Sequence, residues 1–141
     1  MIAAVDGESP PLTVPIFLNQ EIDMALTELH PVSEAQVMAF TSSLGGSPVA
    51  TYARVPFRGK VLKIGVVQSG AVTGTATVTA AINGAAITSG VVSVTGGLAG
   101  SHFSAIPSGA NDVNEDDVIS FTPAGATGAV TGHCYAVIRR S

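Results

Sequence analysis

The chain reads as an all-β protein, a jelly-roll-like β-sandwich with an extended N-terminal arm. Three observations predict it. Turn-forming residues recur at the intervals of a sandwich or jelly roll, with apolar and polar residues alternating between them. Asn83-Gly84 stands between two β-rich runs, a strong hairpin signal because both central residues need positive φ. Residues 64–111 contain no Asp, Glu, Lys or Arg, where usual frequencies would place about a dozen. Thr, Ser, Ala and Val fill that stretch instead, as a pleated surface favours.

In chain order, residues 1–45 read as an arm and lead-in segment, and residues 46–141 as the β-sandwich domain. Pro10, Pro11 and Pro15 keep residues 8–16 extended, and Gly7 adds freedom. Leu12, Val14 and Ile16 alternate along this arm and would gain stability once a partner covers them. The alternative is a disordered tail. Leu18, Ile22, Ala25, Leu26 and Leu29 recur at helical spacing between Asn19, a possible cap, and the stop His30-Pro31. A short helix there competes with a strand pair ending near Phe40.

The domain opens with strands over Thr51–Phe57 and Lys60–Val67, separated by Arg58-Gly59, with Pro56 breaking the ladder. In Thr75–Ile82, Ala76, Val78, Ala80 and Ile82 share one face, and the other is mostly threonine. Asn83-Gly84 turns this strand into Ala85–Ile87. Further strands are expected at Val91–Val94, before the breaker Gly96-Gly97, and at Ser101–Ile106. Val118–Thr122 follows the acidic loop Asn111–Asp117, and the last strand runs from about Ala129 to Arg139.

Composition narrows the function. Charged residues are 11% of the 141 and hydrophobic residues 46%. A surface so short of charge tends to associate, which favours an obligate oligomer or lattice component. The net charge of −4 argues against nucleic acid, which calls for a basic stripe. No apolar run reaches the roughly 20 residues of a membrane span. The first basic residue is Arg54, so a secretory signal is not expected. Synthesis in a reducing cytoplasm is the expectation. The single cysteine, Cys134, allows no internal disulfide.

No catalytic or metal-ligating residue is assigned, and no cofactor is expected. Neither a phosphate-binding Gly-Lys loop nor a Gly-x-Ser-x-Gly elbow occurs. Gly96-Gly97-Leu98-Ala99-Gly100 reads as a turn. Asp112, Asn114, Glu115, Asp116 and Asp117 begin like a calcium loop, but the sixth position is Asp117 instead of glycine and the twelfth is Pro123. His133 and Cys134 are strand neighbours pointing to opposite faces, so they do not share an ion. Cys134 paired with His102 as nucleophile and base has no local support, and a buried cysteine is the simpler reading. Arg54, Arg58 and Lys60 are candidates for charged contacts with an acidic partner, against the alternative of a solvated turn.

The run Thr51-Tyr52-Ala53-Arg54-Val55-Pro56-Phe57-Arg58-Gly59-Lys60-Val61 resembles the opening of a bacteriophage head decoration, or capsid cement, domain. The resemblance continues through the Thr/Ala strand, Ile82-Asn83-Gly84 and Val118-Ile119-Ser120-Phe121, and covers roughly residues 47–139. Glu115-Asp116-Asp117 stands where that family would carry Gly-Asp. The resemblance implies a homotrimer on the outer surface of the virion, binding the major capsid protein and stabilising the head mechanically. The arm residues Leu12, Val14 and Ile16 would then contact the capsid, and the neutral stretch 64–111 would pack copies together. A carbohydrate-binding jelly-roll module of a fibre or adhesin is the alternative. A small enzyme with sites between subunits ranks last, since no acid, base and nucleophile converge.

Overall fold

The computed structural model describes residues 33–41, 43–45 and 48–141. The expectations for Leu12, Val14, Ile16 and the helix or strand pair after Leu18 therefore lie mostly or wholly outside the described residues. Nine strands follow in order: β1 (Glu34–Thr41), β2 (Thr51–Arg54), β3 (Gly59–Gln68), β4 (Thr75–Ile82), β5 (Ala85–Thr95), β6 (His102–Ala105), β7 (Asp112–Val113), β8 (Val118–Ala124) and β9 (Gly132–Arg140). The described residues contain no helix.

The strands form two sheets. One runs β1-β9-β3-β6, with the short β7 also paired to β3, and the other runs β2-β8-β4-β5. Every strand pair is antiparallel. With β7 set aside, the chain passes between the sheets in the double Greek key of a jelly roll. The fold class expected from the sequence is the one observed.

Alternation builds the core. Val37 and Ala39 of β1, Ile64 and Val66 of β3, and Cys134, Ala136 and Ile138 of β9 point inward from the first sheet. Ala76, Val78 and Ala80 of β4, Val92 and Val94 of β5, and Ile119 and Phe121 of β8 meet them from the second. Apart from Phe121 these side chains are small or β-branched, which suits two closely apposed pleated layers.

The largest difference from the sequence reading is β1. It pairs with β9 along its whole length, from Glu34 opposite Arg139 to Thr41 opposite Gly132. The sandwich thus takes in part of the segment read as lead-in, and its compact unit spans Ser33–Ser141. The reason is physical. Gln36, Met38 and Phe40 face out while Val37, Ala39 and Thr41 face in, and apolar residues on both faces hide a period of two.

Smaller differences have local causes. β2 ends at Arg54 because Val55 pairs its backbone with Asp116 and Asp117, and Pro56 follows. A bulge between Val61 and Lys63 shifts the inward phase of β3 from Val61 to Ile64. Ala85–Ile87 and Val91–Val94 belong to one strand, β5, interrupted near Ser89, whose φ is 60°. There Thr88 turns instead to Gly109. Asp112-Val113, read as part of a loop, pairs with Gly59 and Lys60. Gly96–Gly100 is the expected turn, held by the buried Gln68, whose Nε2 donates to the Gly96 carbonyl at 2.6 Å.

The Asn83-Gly84 hairpin is as expected. Ile82 pairs with Ala85 across it, and φ is 49° at Asn83 and 88° at Gly84. A Cβ at position 84 would meet nothing within 4 Å, so a substitution there costs backbone strain alone. Gly84→Val is expected to lower stability by about 1–3 kcal/mol. The denaturant midpoint measures this, and an unchanged midpoint would contradict it.

Candidate interaction surface

The residues weighed for chemistry are not brought together. Cys134 is fully buried on the inner side of β9, and burial pushes its thiol up to about 12, which suppresses the nucleophilic thiolate. His102 and His133 lie on the outer side of the same sheet, so the pairing of Cys134 with His102 is not built. Among the described residues no group of three or more His, Cys, Asp or Glu is placed to hold a metal ion.

The acidic loop is occupied by its own turn. One Asp117 oxygen accepts from the backbone N–H of Asn114 at 2.7 Å, and the other from Asn83 Nδ2 at 2.8 Å. The Asn114 bond first and the Asn83 bond second hold its carboxyl below the usual value. Asn83 Oδ1 in turn accepts from Val118 N at 3.0 Å. The hairpin turn is thereby tied to the start of β8, a role for Asn83 beyond its positive φ.

The basic candidates disperse. Arg54, on the second sheet, pairs with Asp116. Lys60, on the first, lies 4.0 Å from Asp112. Arg58 is exposed between them, in the bend from β2 to β3. These residues form no single basic patch.

The two sheets present contrasting outer faces. On the second, Thr77 and Thr79 of β4, Ser93 and Thr95 of β5, and Ser120 and Thr122 of β8 point outward, with Tyr52 at the β2 edge 67% exposed. Hydroxyls solvate this face without charge, which explains how residues 64–111 dispense with ionic side chains. The β4 and β5 part of the neutral stretch therefore supplies a mostly hydroxyl surface, with Val91 its exposed large apolar residue.

The first sheet is different. Met38 and Phe40 of β1 are each 55% exposed. Register sets Met38 beside Tyr135, then Gly65 and Ser104, and the next row reads Phe40, His133, Val67 and His102. The Phe40 and His133 rings meet edge to face with centroids 5.3 Å apart. His102 stacks on Tyr135 at 5.6 Å and 17°, and a ring nitrogen hydrogen-bonds the phenol oxygen. Tyr135 lies flat across Gly65, where a Cβ would overlap its ring. That flat seat leaves Tyr135 largely covered, and burial raises its phenol pKa.

Sequence reasoning did not single out Met38 or Val67, weighed His133 only as a metal ligand, and named Phe40 only as the end of a strand. The signal was present in two strand segments, 36–40 and 133–137, that carry apolar or aromatic residues on both faces. Such a strand must either be covered twice or leave one apolar face open. In comparison with known proteins, no family model and no curated protein matches this chain.

Proposed function

We propose that this chain is a structural capsid decoration protein that binds the major capsid protein lattice from outside and associates with itself, as a homotrimer, to stabilise the head. The observation that carries the proposal is the open apolar and aromatic face of the first sheet, from Met38 and Phe40 to His133 and Tyr135. Such a face loses hydration cost only when another protein covers it. The resemblance from Thr51 to Phe121 supports the same role. The role is mechanical: additional buried interface resists expansion of the shell, and no reaction is involved.

In this reading Leu12, Val14 and Ile16 of the arm contact the capsid, with Arg54, Arg58 and Lys60 as further points of contact. The test is co-sedimentation with undecorated capsids, using the full chain and a variant lacking residues 1–17. The full chain is expected to pellet with capsids, and the truncated chain to stay in the supernatant with unchanged circular dichroism. Failure of the full chain to pellet would overturn the role, and pelleting of the truncated chain would remove the arm from it.

One observation favours a second reading, a carbohydrate-binding module. Tyr52 offers an exposed ring beside Ser120, its cross-strand neighbour, on a hydroxyl-rich face suited to sugar stacking. Binding on a glycan array that is lost in Tyr52→Ala would favour that reading.

A further inference from the structure

We propose that the outer face of the first sheet is the interface between copies of this chain, with the β1 ridge of one copy seated in the trough over β3 and β6 of the next. This rests on the self-association proposed above and places it on the first sheet, where β1 and β9 join the parts of β3 and β6 that belong to the neutral stretch 64–111. Protonation of His102 and His133 loosens the interface.

Relief comes first. Met38 and Phe40 stand out from the edge strand β1. Two strands away, Gly65 has no side chain, Tyr135 lies flat over it, and Ser104 is small. The face is therefore high along β1 and low over β3 and β6, and one copy's ridge matches another copy's trough.

Charge agrees, and size sets the contact at the small end. Four strands about 4.8 Å apart, three of them taken over about seven residues and β6 over its own short length, span roughly 400 Å². A standard interface takes about 800 Å² per partner. The two central rows, Met38–Tyr135–Gly65–Ser104 and Phe40–His133–Val67–His102, hold no Asp, Glu, Lys or Arg. At the rim, Glu34 is paired with Arg139 at 2.8 Å, and Lys60 lies 4.0 Å from Asp112. Lys63, opposite Val137, borders the central rows and reaches solvent along its stem. Two copies can meet here without burying an uncompensated ion. The exposed Met38 and Phe40 also match the composition of an interface core.

The histidines make the contact pH-dependent. His133 on β9 faces Phe40 of β1 and Val67 of β3, and His102 on β6 faces Tyr135 of β9 and Val67 of β3. No carboxylate from these four strands shares their row, and Lys63, two rows away in register beside Val137, is of the same sign. A proton gained on either ring would be desolvated without a counter-ion. The separated copies bind that proton more readily than the assembled ones. Association is thus strongest with both rings neutral and falls as they take up protons.

The test measures mass by light scattering on the full chain at micromolar concentration, without capsids, at pH 8 and pH 5. The wild type is expected to be multimeric at pH 8 and to dissociate towards pH 5. Phe40→Glu, and separately Met38→Glu, are expected to weaken association roughly 100-fold with unchanged circular dichroism. Val91→Glu, at an exposed position of the second sheet, is expected to leave the mass unchanged. A monomeric wild type at pH 8, wild-type mass in folded Phe40→Glu and Met38→Glu, or dissociation by Val91→Glu alone would overturn the interface. A mass independent of pH would remove the histidine role. A multimer that ignores capsids would leave the interface standing and overturn the decoration role, whereas a monomer that pellets with capsids would do the reverse.

Discussion

Phe121→Ala is expected to cost about 3–5 kcal/mol of folding stability. Phe121 is fully buried and heads the fully buried side chains by volume. It lies on β8, between Thr51 of β2 and Ala80 of β4. Its surroundings decide the size of the effect. Ala53 and Ala80 have no torsions with which to swing into the space left behind, and valines have only one staggered freedom, already restricted in a strand. The cavity therefore stays open, and the loss of transfer free energy is joined by the cost of the void. Against the 5–15 kcal/mol that holds a typical domain, one substitution would remove a large share. Guanidinium unfolding would show it as a lower midpoint at an unchanged slope. A loss below about 1 kcal/mol would mean that the two sheets close over the gap.

Gly59→Ala is expected to cost about 3 kcal/mol, more than Gly65→Ala in the neighbouring stretch of β3. Both glycines are buried in the first sheet, and neither φ lies in the left-handed region, so the question is only what the new methyl meets. At position 59 it would overlap the carbonyl oxygen of Arg139. That oxygen belongs to the backbone of β9, which is held by β3 on one side and β1 on the other. It cannot retreat without opening a ladder. At position 65 the methyl would overlap the ring of Tyr135, a side chain able to turn outward at the expense of its contact with His102. Unfolding midpoints of the two variants measure the contrast. A lower midpoint for Gly65→Ala would contradict the distinction between a rigid and a yielding neighbour.

The strands legible in the sequence were those whose two faces differ in chemistry. β4 separates Ala76, Val78 and Ala80 from Thr75, Thr77 and Thr79, so its inward face could be read without any partner. β1 could not be read this way. Its outward Met38 and Phe40 are as apolar as its inward Val37 and Ala39, and the same holds for His133, Tyr135 and Val137 of β9 against Cys134 and Ala136. The second-sheet face was legible as uncharged, but which of its residues water reaches was not, because composition does not report that. Gly59 read as part of a link between strands, although its place is inside the first sheet, because close approach of two backbones leaves no trace in either segment alone.

The sequence by itself determined the all-β class, the jelly-roll-like sandwich, the Asn83-Gly84 turn and the opposite facing of His133 and Cys134. Each follows from steric limits on φ or from the period of two along an extended chain. Only the tertiary structure decided that β1 completes the first sheet, that Arg54 and Lys60 part company, and that Met38 and Phe40 stand exposed beside β9. Phe40 meets His133, and His102 meets Tyr135, through pairings between segments far apart in the chain. Such pairings are chosen by the collective burial of both sheets, because a slip of one residue in β9 would turn Cys134 and Ile138 to water and bring His133 and Tyr135 into the core.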